Sequence, residues 1–553
     1  MNLRRHIAAG LLCAWSLAAQ AQAGNPHAAH MMQVPPGVDP GQAIDPHLGP
    51  LHHPVSTRNR AAQAFFDQGM KLAYGFNHEG AIASFKHAAE LDPQLAMAWW
   101  GVAWALGSNY NQPMGPAQHA QAFEALQHAQ ALEAQASSIE REYVDALAKR
   151  YSSDPKADTA PLDVAYADAM RALSERHARD ADALTLYAES LMDLRPWRLW
   201  RPDGAMEPGT EDIITALDAA LKLVPMHVGA NHYCIHVWEM SPTPERALAC
   251  AHRLEAMHLS AGHLVHMPAH VYIRTGDYVA AARSNVAAAQ VDEALISAGV
   301  HSLYTVGYYG HNLHFLAVAQ GLAGNSGAAI AAARKLAAMV EPQLKDVPYL
   351  DTYYATPAQV LVMFERWDDV MAVPEPPFKA PLSGMMWHFA RAQALAARGQ
   401  MDAALAERDA FARMDEATGQ SIDWGNNKAR DVLAVARPWL DGRLALALND
   451  LPAAIAAFRA AAEAEGKLAY DEPPDWYLSA HDQLGDALLK SGDAASAAAA
   501  YRAGLKQLVA SGRSLHGLQA ALAAQGKAAE AAAVEAQFRQ AWRTADVKLA
   551  TLK

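Results

Sequence analysis

Apolar and polar positions change their spacing along the chain, and the changes divide it. A short apolar run, "IAAGLLCAWSLAA" at Ile7–Ala19, stands at the start. Residues 24–57 follow with many Pro, Gly and His and no helical period, which predicts an extended or mobile arm. From about Ala61 apolar residues recur at helical spacing, in paired stretches separated by turns. The stretch "RPWRLWRPDGAMEPGTED" at 195–212 interrupts the period with Pro and Gly and predicts a long loop. Ala and Leu dominate and runs of β-branched residues are few. Both residues lose little conformational freedom in a helix, so the pattern predicts an all-α chain.

One pair is sharply defined. Gly69, Ala81, Phe85, Ala88 and Pro93 stand at offsets 0, 12, 16, 19 and 24. The small residues let two helices approach, Phe85 fills the space between them, and Pro93 ends the second. This unit resembles the tetratricopeptide repeat, a helix–turn–helix of about 34 residues. Gly485, Ala497, Tyr501 and Gly504 keep the first four offsets, and looser units lie around 267–292, 311–336, 386–410 and 440–465. The resemblance runs from 61 to about 540. It implies a helix–turn–helix solenoid, a right-handed superhelix whose first helices line a concave groove that takes a protein or peptide partner. The expected division is a signal at 1–23, the arm at 24–57, N-terminal repeats at 58–180, central repeats at 181–345 and C-terminal repeats at 346–553.

Charge and cysteine content refine this. The net charge is −13 with no basic stripe, which argues against a nucleic-acid partner. Arg4 and Arg5 precede the apolar run and "AQA" at 21–23 follows it, so the start reads as a cleavable export signal with Gly24 as the first mature residue. The Gly-Leu-Leu before Cys13 makes a poor lipobox. No later run reaches the roughly 20 apolar residues of a membrane span, so no integral membrane segment is expected after cleavage. The expected location is the periplasm or the medium. Cys234 and Cys250 remain, each eight residues from Pro242 in the turn "SPTP". Equal spacing on a helical hairpin in an oxidising compartment predicts a disulfide; the alternative is two small buried thiols.

The centre carries the chemistry. "GANHYCIHVWEM" supplies His232, His236 and Glu239; "AGHLVHMPAHVYI" supplies His263, His266 and His270; "YYGHNLHF" supplies His311 and His314. At about 100° per residue each set falls on one helix face, with the spacings by which one helix offers two imidazoles to an ion. Gly276 or Gly324 at repeat position 15 puts His263, His266 and His270 at positions 2, 5 and 9, and His311 and His314 at 2 and 5. Ala247 at position 20 puts His232, His236 and Glu239 at 5, 9 and 12. The resemblance implies that these positions face the groove, so seven His and one Glu form one patch. Such clusters mark metal sites more often than organic-ligand grooves. They exceed one tetrahedral ion, so either two ions bind or some His act as orienting or acid–base groups.

Glu239 is then a ligand or a general base. Glu189 and Asp193, at i and i+4 on the preceding helix, could add carboxylates; the alternative is helix-surface charge. His78, His177, His388 and His481 read as ordinary histidines satisfied by neighbours or solvent. Imidazole suits copper, zinc and iron. His27, His30, Met31 and Met32 with His47, His52 and His53 in the arm raise copper slightly above zinc and iron; the alternative is that they only make a flexible arm polar. Trp197, Trp200 and Arg201 could cap the groove or pin the loop, Tyr353 and Tyr354 could face it, and "YDEPPDWY" at Tyr470–Tyr477 reads as a helix started by proline. No Gly-rich phosphate loop, GxSxG elbow or four-Cys zinc pattern occurs. The sequence thus points to an exported metal-binding repeat protein, either a redox (copper, iron) or hydrolytic (zinc) enzyme, a copper or zinc carrier, or a partner-binding scaffold. An enzyme predicts a pocket beside incompletely coordinated metal; a carrier predicts none.

Overall fold

Asn and Asp side chains start many of the helices. Asn59 accepts from the backbone N–H groups of Ala61 and Ala62, Asn77 from Gly80, Asp180 from Asp182 and Ala183, and Asp277 from Ala280, filling donors that a helix N-terminus leaves open. The computed structural model describes residues 43–300, 302–377, 380–418 and 422–549. The expected signal at 1–23 and His27, His30, Met31 and Met32 lie outside the described residues.

Helices follow one another in hairpins. α1 (Arg60–Tyr74) pairs with α2 (His78–Leu91), α3 (Ala96–Leu106) with α4 (Pro116–Ala131), and α5 (Ser138–Leu147) with α6 (Ala160–Arg176). α7 (Ala181–Met192) pairs with α8 (Thr210–Leu223) across the loop expected at 195–212, and α9 (Val228–Glu239) with α10 (Leu248–Met257). In the centre α11 (Gly262–His266) and α12 (Pro268–Thr275) pack on α13 (Tyr278–Ser297), and α14 (Leu303–Leu322) on α15 (Ser326–Val340). Short α16 (Asp351–Tyr354), α17 (Thr356–Met363) and α18 (Trp367–Ala372) precede the pair α19 (Pro381–Ala397) and α20 (Met401–Thr418). The hairpin β1 (Asp423–Trp424) and β2 (Asn427–Lys428) follows. The last pairs are α21 (Ala429–Ala447) with α22 (Leu451–Glu465), α23 (Ala480–Lys490) with α24 (Ala494–Gln507), and α25 (Gly512–Ala524) with α26 (Ala528–Ala541). The fold is an all-α, tetratricopeptide-like solenoid, and the looser units coincide with α12–α13, α14–α15, α19–α20 and α21–α22.

An aromatic wedge recurs between neighbouring pairs. A Cβ on Gly69 or on Gly101 would stand 2.5 Å from the Phe85 ring, so both glycines are seats for that ring. Tyr501 sits in the same way against Gly485 and Gly517, where a Cβ would come within 2.6 and 2.2 Å. Each ring is buried, which stabilises its unit by about 1.5–3 kcal/mol. The apolar core follows the array: one cluster runs from Leu48 to Val291, crossing the expected boundary at 180, and a second from Ala269 to Leu508.

Two features enclose the centre. The described part of the arm, 43–57, forms no helix or strand and is pinned. Leu48 and Leu51 are buried, Asp45 N–H donates to Gln68 Oε1 at 2.8 Å and Ser56 N–H to Glu140 Oε1 at 2.6 Å. His52 Nδ1 lies 2.8 Å from Asp67 Oδ2 and His53 Nδ1 lies 2.8 Å from Asp182 Oδ2. The arm is therefore a strap from 43 to 57, with His52 and His53 already engaged by carboxylates. The array also curls until its end meets its middle. The Tyr278 hydroxyl donates to Val509 O at 2.6 Å, Tyr477 to Gln359 at 3.0 Å, and Ser326 N–H to Asp546 at 2.7 Å. Among the described residues, no helix is long and apolar enough to cross a membrane.

Candidate metal centre

α9 is buried along its whole length, although it carries Asn231, His232, His236 and Glu239. Its apolar and polar residues therefore both need partners. Cys234 is joined to Cys250, which staples α9 to α10 as the spacing predicts. Asn231 donates to His227 O at 2.8 Å and accepts from Arg253 at 3.0 Å.

α11 and α12 form one helical path interrupted at Pro268. Proline has no N–H to continue the ladder, and the His270 N–H turns to Met267 O at 3.2 Å. The break leaves His263, His266 and His270 on the same side, toward α9 and α14. α14 adds His311 and His314.

The imidazoles fall into two groups. The ligand atoms of His232, His236 and His263 lie within 4.8 Å of one another, as do those of His266, His270 and His311. His232 Nδ1 lies 2.6 Å from Tyr74 O, a carbonyl that can only accept, so Nδ1 carries the proton and Nε2 the lone pair. His266 Nδ1 lies 2.7 Å from Asn285 Oδ1, whose amide is oriented by its own donation to Ala281 O at 2.8 Å. His236 Nδ1 lies 2.9 Å from Glu239 Oε1. The Nε2 atoms then meet in front: His263 to His232 at 3.1 Å, His266 to His270 at 2.6 Å, and His311 to His266 at 3.1 Å. The Nε2 of His236 has no hydrogen-bond partner among the described residues. Rear nitrogens tied to acceptors and front lone pairs turned on one another form a metal-ready arrangement, which a proton between rings can also satisfy. Tetrahedral coordination at about 2.0–2.1 Å sets ligand nitrogens about 3.3 Å apart, a small spreading of the three Nε2–Nε2 contacts at 2.6–3.1 Å.

Two carboxylates flank the His270 ring. Glu239 Oε2 lies 2.8 Å and Glu472 Oε2 2.5 Å from His270 Nδ1, ion-pair distances that miss hydrogen-bond alignment. Burial alone would lower His270, but Glu472 and Glu239 raise it to about 10. Burial would raise Glu239, and His236 and His270 hold it down instead. Burial, reinforced by the neighbouring imidazoles, pushes His232, His263, His266 and His311 well below their ordinary range. These four are therefore neutral, the form that binds a metal.

The front opens on a cavity of about 520 Å³. His236, His263, His270, His311 and His314 form one wall. Trp197, Tyr308 and Tyr353, together with Trp424, Asp471, Glu472 and Asp475 from the curled-back C-terminal half, form the others. Asn426 N–H donates to Asp471 at 2.9 Å, fixing the 471–475 loop on the β1–β2 turn.

The expected residues thus sort by position. Six His form the two groups, while His314 lines the cavity 5.3 Å from the Tyr353 ring and joins neither. Glu239 is buried and does not line the cavity; its carboxylate joins His270 and Glu472 in a third group whose ligand atoms lie within 4.8 Å of one another. Glu189 and Asp193 are neither surface charges nor members of the His groups. Glu189 accepts from Trp104 Nε1 and the Tyr233 hydroxyl, both at 3.0 Å. Asp193 accepts from Arg150 at 2.7 Å. Trp197 lines the cavity, Trp200 pins the loop by donating to Val237 O at 2.7 Å, and Arg201 is exposed toward Asp203. Tyr353 faces the cavity and Tyr354 a separate pocket. His78, His177 and His388 are held by Ala105 O, Glu142 and Glu407.

Residues 470–477 are a loop, not a helix started by proline; the next helix starts at Ala480. The Glu472–Pro473 bond is cis. Glu472 and Asn285 went unnoticed in the sequence. Asn285 had a local signal: it is a polar residue among alanines on the helix after the His row. Glu472 had none, because only the curl brings it to His270.

No family model matches the chain, and no curated protein matches it. Among solved structures it is similar to the human IFIT1 dimer with PPP-AAAA at 14% identity and TM-score 0.30, over 86% of this chain and 89% of that one. It is also similar to yeast Tom70 at 11% identity and TM-score 0.29, over 85% of this chain and 90% of that one.

Proposed function

We propose that the chain is an exported metal-dependent enzyme on a helical-repeat scaffold. A transition metal is held by imidazoles from α9, α11, α12 and α14, beside the cavity where substrate binds. The observation that carries this reading is the ring arrangement. His232, His236 and His266 each have Nδ1 tied to an acceptor, and their Nε2 atoms turn inward with those of neighbouring His.

The adjoining cavity favours catalysis over metal transport, because a carrier needs no room beside its metal. A bound metal would supply Lewis acidity or, as copper or iron, electron transfer. Around it, Trp197, Tyr308 and Tyr353 give substrate an aromatic surface, and the 471–475 loop gives it carboxylates. Six imidazoles without a thiolate, together with His27, His30, Met31 and Met32, make copper the first metal to examine.

Elemental analysis of exported, purified protein tests the reading. The wild type is expected to retain at least one transition-metal equivalent through desalting, and the His232→Ala/His266→Ala variant almost none. A wild type that neither contains nor takes up metal overturns it.

A further inference from the structure

We propose that the centre is two separate three-imidazole seats, each for one transition-metal ion of the copper or zinc class, joined by Glu239. This rests on the metal reading and adds the number of ions, the ligand set of each and the role of the carboxylate.

The ligand atoms sort into two seats, those of each three rings lying within 4.8 Å of one another. In the first, the His232 ring centroid lies 4.7 Å from His236 and 4.9 Å from His263. In the second, His266 lies 4.5 Å from His270 and 4.7 Å from His311. The outer rings within a seat are as far apart, His236 to His263 at 6.2 Å and His270 to His311 at 5.8 Å, as rings across the seats, His263 to His266 at 6.0 Å and His236 to His270 at 6.1 Å, so the central rings define each seat. Each seat has a central ring, His232 or His266, with its two partners arranged about it. No Nε2–Nε2 contact crosses from one seat to the other.

Glu239 crosses instead. Its Oε1 lies 2.9 Å from His236 Nδ1 in the first seat, and its Oε2 lies 2.8 Å from His270 Nδ1 in the second. A carboxylate with each oxygen on a different ring's rear nitrogen is an orienting group for both rings. It fixes the His236 tautomer through that hydrogen bond, and its charge beside both rings makes their front nitrogens stronger metal ligands. It also couples the seats, because a cation in one draws charge from the carboxylate that supports the other. Glu472 supports only the second. The seats share one opening: His236 and His263 from the first and His270 and His311 from the second all line the cavity. A small ligand there reaches both ions.

The test is a count. Metal-free protein is loaded with Zn(II) or Cu(II), desalted and assayed for metal, with circular dichroism to confirm folding. Two equivalents are expected in the wild type, one in His232→Ala, one in His311→Ala and none in the double variant. Glu239→Gln is expected to weaken both equivalents by about 10–100-fold. One equivalent in the wild type, or loss of both in either single variant, overturns the two-seat inference and leaves the metal reading standing. No uptake at all overturns both. Should the variants fail to fold, paramagnetic resonance of the Cu(II)-loaded wild type decides. Coupled ions give fewer spins than copper atoms, and one isolated spin per chain overturns the inference.

Discussion

The central helices α9–α14 and the C-terminal helices α21–α26 are built on the same hairpin, yet they enclose different chemistry. In α22 the buried residues are Ala454, Phe458, Ala461, Ala462 and Glu465, and the remaining face is wet. α23 and α24 close on the Tyr501 wedge in the same way. α9 has no wet face, so two His, an Asn and a Glu are enclosed with its apolar residues. A stack of amphipathic pairs stabilises itself through its wedges, whereas enclosed imidazoles cost stability unless every nitrogen has a partner. The central region meets that requirement at the rear nitrogens of His232, His236 and His266 but not at His263 Nδ1, and its front nitrogens face one another, an arrangement that a cation completes. The outer repeats thus supply stability and the central ones chemistry.

Substitutions can break this contrast. His266→Leu should have the largest effect. Metal retention in its seat falls at least about 100-fold, or about 2.7 kcal/mol, while unfolding of the metal-free protein shifts by less than about 2 kcal/mol. Equilibrium dialysis and urea titration read the two separately. Tyr501→Ala should do the reverse, costing about 3–5 kcal/mol in the C-terminal repeats with metal content unchanged. A loss of metal in that variant would mean that the outer repeats are not independent of the centre.

Opening the Cys234–Cys250 bridge should cost about 3 kcal/mol, confined to the central unfolding step. Thiol titration of the unfolded, unreduced mature chain should find no reactive thiol.

The smallest expected effect concerns the strap. His53 and His227 both contact Asp182, and the Tyr74 hydroxyl donates to it at 2.8 Å. Burial opposes the carboxylate, but the two His hold Asp182 below its ordinary range; burial likewise opposes His53, which Asp182 raises. The carboxylate's contribution is present above about pH 4 and lost as pH falls. The His53 contribution is full below about pH 6.5 and lost as pH rises through its raised value. Limited proteolysis of 43–57 should therefore be slowest between about pH 4 and 6.5. Asp182→Asn should release the strap at a cost of about 1–3 kcal/mol.

The helix pairs were legible in the sequence because small and aromatic residues recur at fixed offsets, as Gly69 and Phe85 do, and such wedges are local. The two Cys were legible for the same reason. So were the six clustered His, since their helical spacing fixes one face. What was hidden is tertiary. Glu472 reaches His270 only because the array curls, the Tyr74 carbonyl behind His232 has no side-chain signature, and the strap lacks any periodicity. Glu239 was legible as part of the cluster, but its position between His236 and His270 depends on how α9 and α12 cross.

Anomalous diffraction from crystals of metal-loaded protein, collected at the metal's absorption edge, tests the central claim most directly. The account predicts a peak within bonding distance of the His266, His270 and His311 Nε2 atoms and a second on His232, His236 and His263. Peaks confined to other parts of the molecule, such as the group that His53 of the strap forms with Asp180 and Asp182, would contradict it.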